Sequence, residues 1–138
     1  RQLFLNLFTN SSDSMPEGGT LTIRTYVQEA ESGTTSDLQP ATRNQFIVIE
    51  IADTGSGISP EILSKVTEPF FTTKPEGKGT GLGLSICRRV VEGHKGTFEI
   101  TSSCEIQKGT TVRVVLPTSL TSVGSHSLHE EENNKIDE

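Results

Sequence analysis

The stretch Gly77-Lys78-Gly79-Thr80-Gly81-Leu82-Gly83-Leu84-Ser85 constrains this chain more than any other. A glycine at every second position leads straight into a helix, and that junction is the feature to explain. Backbone N–H groups at a helix N-terminus form a ready anion site, and glycine lets a phosphate come close to them. A plain flexible loop is the competing reading. The stretch is neither GxxxxGK[ST] nor GxGxxG, so neither a P-loop nor a dinucleotide fold follows from it. Lys74 and Lys78 place cations nearby.

The flanking segments give the layout. Leu3/Leu7 and Phe4/Phe8 recur at four-residue spacing and predict a helix to about Met15, stopped by Pro16-Glu17-Gly18-Gly19. Residues 20–28 (TLTIRTYVQ) alternate, with Leu21, Ile23 and Val27 inward, and predict a strand. Residues 45–52 (QFIVIEIA) are nearly all β-branched and predict a strand buried on at least one face. The two pair as a hairpin across a polar loop, residues 29–44. Ser59-Pro60-Glu61 opens a short helix, with Ser59 as N-cap and Pro60 at the first helical position. A helix from Gly81 to about Glu92 carries Leu82, Ile86 and Val90 on one stripe, Cys87 and Val91 beside it, and Gly93 as its cap. Residues 97–102 and 110–116 are two more strands. The expected architecture is two layers, helices on a sheet.

A chain of 138 residues allows one domain. The net charge is −6, and its distribution matters more than its total. Residues 118–138 hold five acids and one base, leaving −2 for residues 1–117. The tail is Ser/Thr-rich, then acidic, and its composition predicts disorder. The acidic balance argues against nucleic acid as a partner. No apolar run reaches membrane-spanning length and no signal peptide is evident, so the domain reads as cytoplasmic, without membrane contact of its own. Cys87 and Cys104 lack metal-site spacing and read as reduced thiols.

Three further constellations carry chemistry. Gln2, Asn6, Asn10 and Asp13 share one stripe of the first helix. A solvent face is one reading; the other is that a carboxamide oxygen serves as a neutral ligand for a hard cation such as Mg²⁺. Asp53-Thr54-Gly55-Ser56-Gly57-Ile58 puts a carboxylate at a strand end before two glycines. It either bonds its own turn or accepts from an exocyclic amine, as adenine offers, preferring ATP to GTP. Glu68-Pro69-Phe70-Phe71-Thr72-Thr73-Lys74 sets an aromatic pair at the base of a Gly/Pro-rich loop, suiting core anchors or a lid over a ligand.

In their order and spacing these motifs resemble the ATP-binding domain of sensor histidine kinases, within the Bergerat-fold superfamily. The asparagine box resembles residues 2–10, the first glycine box residues 53–57, the phenylalanine box residues 68–74, and the second glycine box residues 79–84. The resemblance covers residues 1–117 and implies an α+β fold, a two-layer sandwich whose mixed, mostly antiparallel sheet is covered on one face by helices. It implies Asn10 as the Mg²⁺ ligand, Asp53 as the adenine partner, and Gly55 and Gly57 shaping the base pocket. Thr80, Gly81, Leu82 and Gly83 would meet the phosphates, with residues 72–79 as the lid. Asn6, Asp13, Ile58, Phe70, Thr73, Lys74, Lys78, Gly79 and Leu84 complete the implied ATP site.

The resemblance further implies ATP and Mg²⁺ as cofactors and γ-phosphate transfer to a histidine on a separate, usually dimeric, phosphoacceptor domain. A response-regulator receiver domain would follow. Because the chain starts inside the asparagine box, it implies an N-terminally truncated domain lacking that histidine, with no catalytic residue assignable within it. His94 reads as a turn residue, and His126 and His129 lie in the tail. Hydrolytic relatives carry a Glu general base where Asn6 stands, and a carboxamide cannot take a proton. Hydrolysis is therefore disfavoured. A nucleotide-binding module without catalysis is the alternative to the kinase.

Overall fold

The first helix forms because residues 2–14 hold no Gly or Pro and repeat apolar residues every three or four positions. In the computed structural model, α1 spans Gln2–Ser14, with Leu3, Leu7 and Ser11 buried. The structure describes residues 1–31, 43–75, 77, 79–105 and 107–118. After α1 come β1 (Leu21–Glu31), β2 (Arg43–Asp53), α2 (Pro60–Leu63), α3 (Gly83–Gly93), β3 (Thr97–Ser103) and β4 (Gly109–Pro117). The sheet order is β1-β2-β4-β3. Each neighbouring pair of these four strands runs antiparallel, so the sheet is antiparallel among the described residues and not mixed.

One face of the sheet carries the core. Ile51, Val112 and Val114 pack against Leu3 and Leu7 of α1 and Cys87 and Val91 of α3. Burying a side chain of this size contributes about 1.5–3 kcal/mol. The opposite face is polar around a fully buried Val48: Arg113 reaches Glu99 at 3.2 Å, Glu50 at 3.7 Å and Gln28 at 2.8 Å, and Tyr26 donates to Glu50 at 2.9 Å. Alternation along the strands puts Arg113, between Val112 and Val114, on that side.

Several expectations need correction. Ile23 and Val27 are 50% and 59% exposed, because β1 is an edge strand and the core reaches only its first residue, Leu21. The hairpin strands are longer than their apolar patterns, so residues 29–31 and 43–44, expected as loop, belong to the ladder. Residues 32–42 of the expected loop lie outside the described residues, as do residues 119–138 of the expected tail. Helix α3 starts at Gly83, not Gly81, since Gly81 has φ +65°. Its buried side is set by Ser85, Cys87 and Val91, with Leu84 packed on the core, while Val90 is 39% exposed. Gly93 is its last residue; His94 follows as C-cap, and the left-handed turn falls on Lys95 at φ 57°. Ser59 is the N-cap of α2 with Pro60 behind it, but its hydroxyl makes no capping bond.

Candidate functional site

Driving Leu3, Leu7 and Ser11 into the core turns the adjoining flank of α1, which carries the polar stripe, toward the start of α3 and the loop before it. Asn6 Nδ2 donates to the Gly83 carbonyl at 3.4 Å. Asn10 Oδ1 accepts from Lys74 Nζ at 3.3 Å, and Asp13 Oδ2 pairs with the same ammonium at 2.6 Å. The middle of the stripe is therefore not a solvent face: Asn6 and Asn10 are half-buried, while Gln2 and Asp13 are exposed. A Cβ on Gly83 would stand 3.8 Å from Asn10 and 3.9 Å from Asn6, which places the start of α3 directly over both carboxamides.

The N-terminus of α3 has Leu82 as N-cap, no side-chain cap and no acid in its first turn. Its first N–H groups have no acceptor within the helix and remain suited to an anion. Thr80 Oγ1 accepts from the Leu82 N–H at 3.3 Å, fixing the approach to the helix. The loop ahead is pinched at its base, where the Phe70 N–H donates to the Gly81 carbonyl at 3.0 Å. A Cβ on Gly81 would collide with the Phe70 backbone, so only glycine lets the two strands of the loop meet. Phe70 itself has φ 68° and is 76% exposed, a strained conformation on a side chain that buries little. Phe71, half-buried, is the anchor of the pair. Gly79 lies against Thr72 and Lys74, and Thr73 is exposed. Lys78 lies outside the described residues.

Asp53 ends β2, and its Oδ1 accepts from the Gly55 N–H at 3.0 Å, the Thr110 N–H at 3.2 Å and Ser14 Oγ at 3.4 Å. Its Oδ2 has no hydrogen-bond partner among the described residues. The carboxylate thus bonds its own turn through one oxygen and presents the other. Gly55 packs against Ser14 and Gly57 against the Ser103 carbonyl, so a side chain at either would push the turn off its supports. Ile58 is fixed by its N–H, which donates to Ser102 Oγ at 2.8 Å. Sequence reasoning missed Ser14, Ser102 and Thr110. Ser14 had a signal: it continues the four-residue spacing of Asn6 and Asn10.

No group of three or more His, Cys, Asp or Glu residues comes together among the described residues. A metal here would draw on Asn10 and Asp13 and take its other ligands from phosphate and water, which suits Mg²⁺. Both oxygens already hold a cation, the Lys74 ammonium, so the donor set fits a positive charge. A depression of about 180 Å³ lined by Gln28, Phe46, Glu99 and Arg113 lies elsewhere, on the polar sheet face. No helix among the described residues is long and apolar enough to cross a membrane.

Residues 1–120 match the family model described as histidine kinase-, DNA gyrase B-, and HSP90-like ATPase. The chain is 41% identical over 116 residues to Sensor kinase CckA of Brucella abortus, covering 84% of this chain and 12% of that protein. It is 38% identical over 119 residues to Sporulation kinase D of Bacillus subtilis, covering 86% and 20%. The chain thus spans less than a quarter of the length of these curated relatives. Among solved structures it resembles the mycobacterial sensor histidine kinase MprB, with TM-score 0.62, 30% identity and coverage of 84% of this chain and 68% of that one. The catalytic domain of histidine kinase ThkA, in a nucleotide-free form, gives TM-score 0.59 at 28% identity, covering 84% and 65%. By sequence and fold together, the chain belongs to the histidine kinase-, DNA gyrase B- and HSP90-like ATPase family, as a domain of the sensor histidine kinase type.

Proposed function

We propose that this chain binds Mg·ATP and presents its γ-phosphate to a histidine on a separate phosphoacceptor domain. The observation that carries the reading is the junction of α1 with α3: the Asn6–Gly83 hydrogen bond sets a cation-holding stripe against an uncapped helix N-terminus. Adenine would offer its amine to Asp53 Oδ2, with Gly55, Gly57 and Ile58 around the base. The triphosphate would lie at residues 80–84, with residues 72–79 as a lid. Asn10 and Asp13 would hold the metal, which supplies charge neutralisation at the phosphates.

The chain's own residues then bind and orient, with little covalent work to do. Asn6 cannot act as a general base, and its amide already donates to Gly83, which favours transfer to a side chain over hydrolysis. His94 is not the acceptor. Its ring Nδ1 contacts the Val90 carbonyl at 2.7 Å at the far end of α3, about 16 Å along an 11-residue helix from the proposed phosphate site. The acceptor histidine, a dimeric phosphoacceptor domain and a receiver domain would lie elsewhere in a cytoplasmic signalling assembly. A nucleotide binder without catalysis is the second reading, favoured by the position of His94, the one histidine among the described residues, at the far end of α3.

The test combines calorimetric titration of Mg·ATP with addition of a separately made phosphoacceptor domain and ATP labelled on its γ-phosphate. ATP binding with acid-labile, alkali-stable label on the added domain is the expected result. Binding without label leaves the second reading, and no binding removes both.

A further inference from the structure

The Lys74 ammonium occupies the two oxygens that the proposed metal site needs. It lies 2.6 Å from Asp13 Oδ2 and 3.3 Å from Asn10 Oδ1. A lysine ammonium is a compact point charge with three donors, and it satisfies the same hard oxygen acceptors that a divalent cation would coordinate. The two cations compete for them: the ammonium takes one lone pair on each oxygen, and its charge repels a divalent ion brought beside it. The ammonium can leave by side-chain rotation alone, since it ends a flexible four-carbon stem and the Lys74 side chain is 34% exposed. Lys74 sits on a loop closed at its base by the Phe70–Gly81 hydrogen bond. Its backbone is fixed locally by the Lys74 N–H, which donates to Thr72 Oγ1 at 3.1 Å.

We propose that Lys74 is an intramolecular stand-in for the divalent cation, a reading that rests on the metal site proposed above. Without nucleotide, its ammonium neutralises Asp13, keeps Asn10 oriented and ties Lys74 to α1. Metal enters only by displacing it. A bare divalent ion must break the Asp13 ion pair and gains few protein ligands in return, so it binds poorly. A metal arriving with a nucleotide brings phosphate ligands and negative charge, and the displaced ammonium loses less. Metal and nucleotide binding are thereby coupled, and the site stays closed to free cations.

The experiment is titration of the nucleotide-free chain with Mn²⁺, followed by electron paramagnetic resonance of the unbound ion. Lys74→Met is expected to bind Mn²⁺ at least tenfold more tightly than wild type, and Lys74→Arg, which keeps a cation there, to bind no more tightly than wild type. Circular dichroism melts confirm that each variant folds, since Lys74 is a partly exposed surface residue. Unchanged Mn²⁺ affinity in Lys74→Met, including no binding by either protein, overturns the stand-in. Asn10→Ala separates the two ideas. If Mn²⁺ dependence of nucleotide binding survives in Asn10→Ala, the metal site itself is wrong; if it is lost while Lys74→Met equals wild type, only the stand-in fails.

Discussion

Asp53 has one oxygen committed and one presented, and that asymmetry makes a substitution there unusually informative. Three donors, the Gly55 and Thr110 N–H groups and Ser14 Oγ, converge on Oδ1. In Asp53→Asn the same donors would hold the amide oxygen in that place and turn the NH₂ toward the base. On the proposed binding mode an acceptor becomes a donor facing the adenine amine, a mismatch worth about 1–3 kcal/mol. We expect Mg·ATP affinity to fall roughly tenfold to a hundredfold, and GTP, with its O6 acceptor, to gain relative to ATP. Competitive titration of both nucleotides checks this; unchanged ATP affinity removes Asp53 from the base pocket. The fold should survive, because every existing bond to Oδ1 is kept.

At the scale of elements, α1 and α3 each do two jobs, and Cys87 stands where those jobs meet. It is fully buried, its thiol near the Leu3 carbonyl at 3.6 Å, and burial pushes the thiol pKa up from 9.0 while a hydrogen bond with Asn6 works the other way. With the folded value above the unfolded one, no penalty exists below about pH 9, and stability is lost as pH rises beyond it. Urea unfolding at neutral and alkaline pH should show wild type losing more stability than Cys87→Ala, although the variant starts lower. Much of this element level was legible in the sequence. Spacing of Leu3 and Leu7 placed α1, and alternating glycines placed the approach to α3. The stripe on α3 was not, because Ile86 and Val90 are as apolar as Val91, and only the way the helix packs against α1 and β3 decides which of them is buried. Ile23 and Val27 misled for a related reason: alternation tells which side of a strand is apolar, not how far the covering helices extend. Lys74 was legible as a nearby cation, yet its bond to Asp13 joins residues 61 apart, a separation no local pattern reports.

For the molecule as a whole, the proposed site draws on α1, the end of β2 and the start of α3, and is braced from β3 by Ser102 and from β4 by Thr110. Ligand should therefore stabilise the entire domain and not one lobe. At a hundredfold excess over the dissociation constant, Mg·ATP should add about 2.7 kcal/mol, a rise in melting temperature on the order of 10 °C for a domain of this size. Differential scanning fluorimetry with and without nucleotide checks it, and an unchanged midpoint counts against binding to the folded state. The pinch between Phe70 and Gly81 has a separate engineering consequence. A segment whose two ends are already in backbone contact is a cassette whose length can change without moving those ends, while Lys74 keeps it in touch with α1. Doubling its length would cost only about 0.6 kcal/mol in closure entropy. Beyond Lys74, that cassette is a port through which a fluorescent reporter or a recognition peptide can be spliced, turning occupancy of the neighbouring site into an optical signal while leaving the scaffold intact.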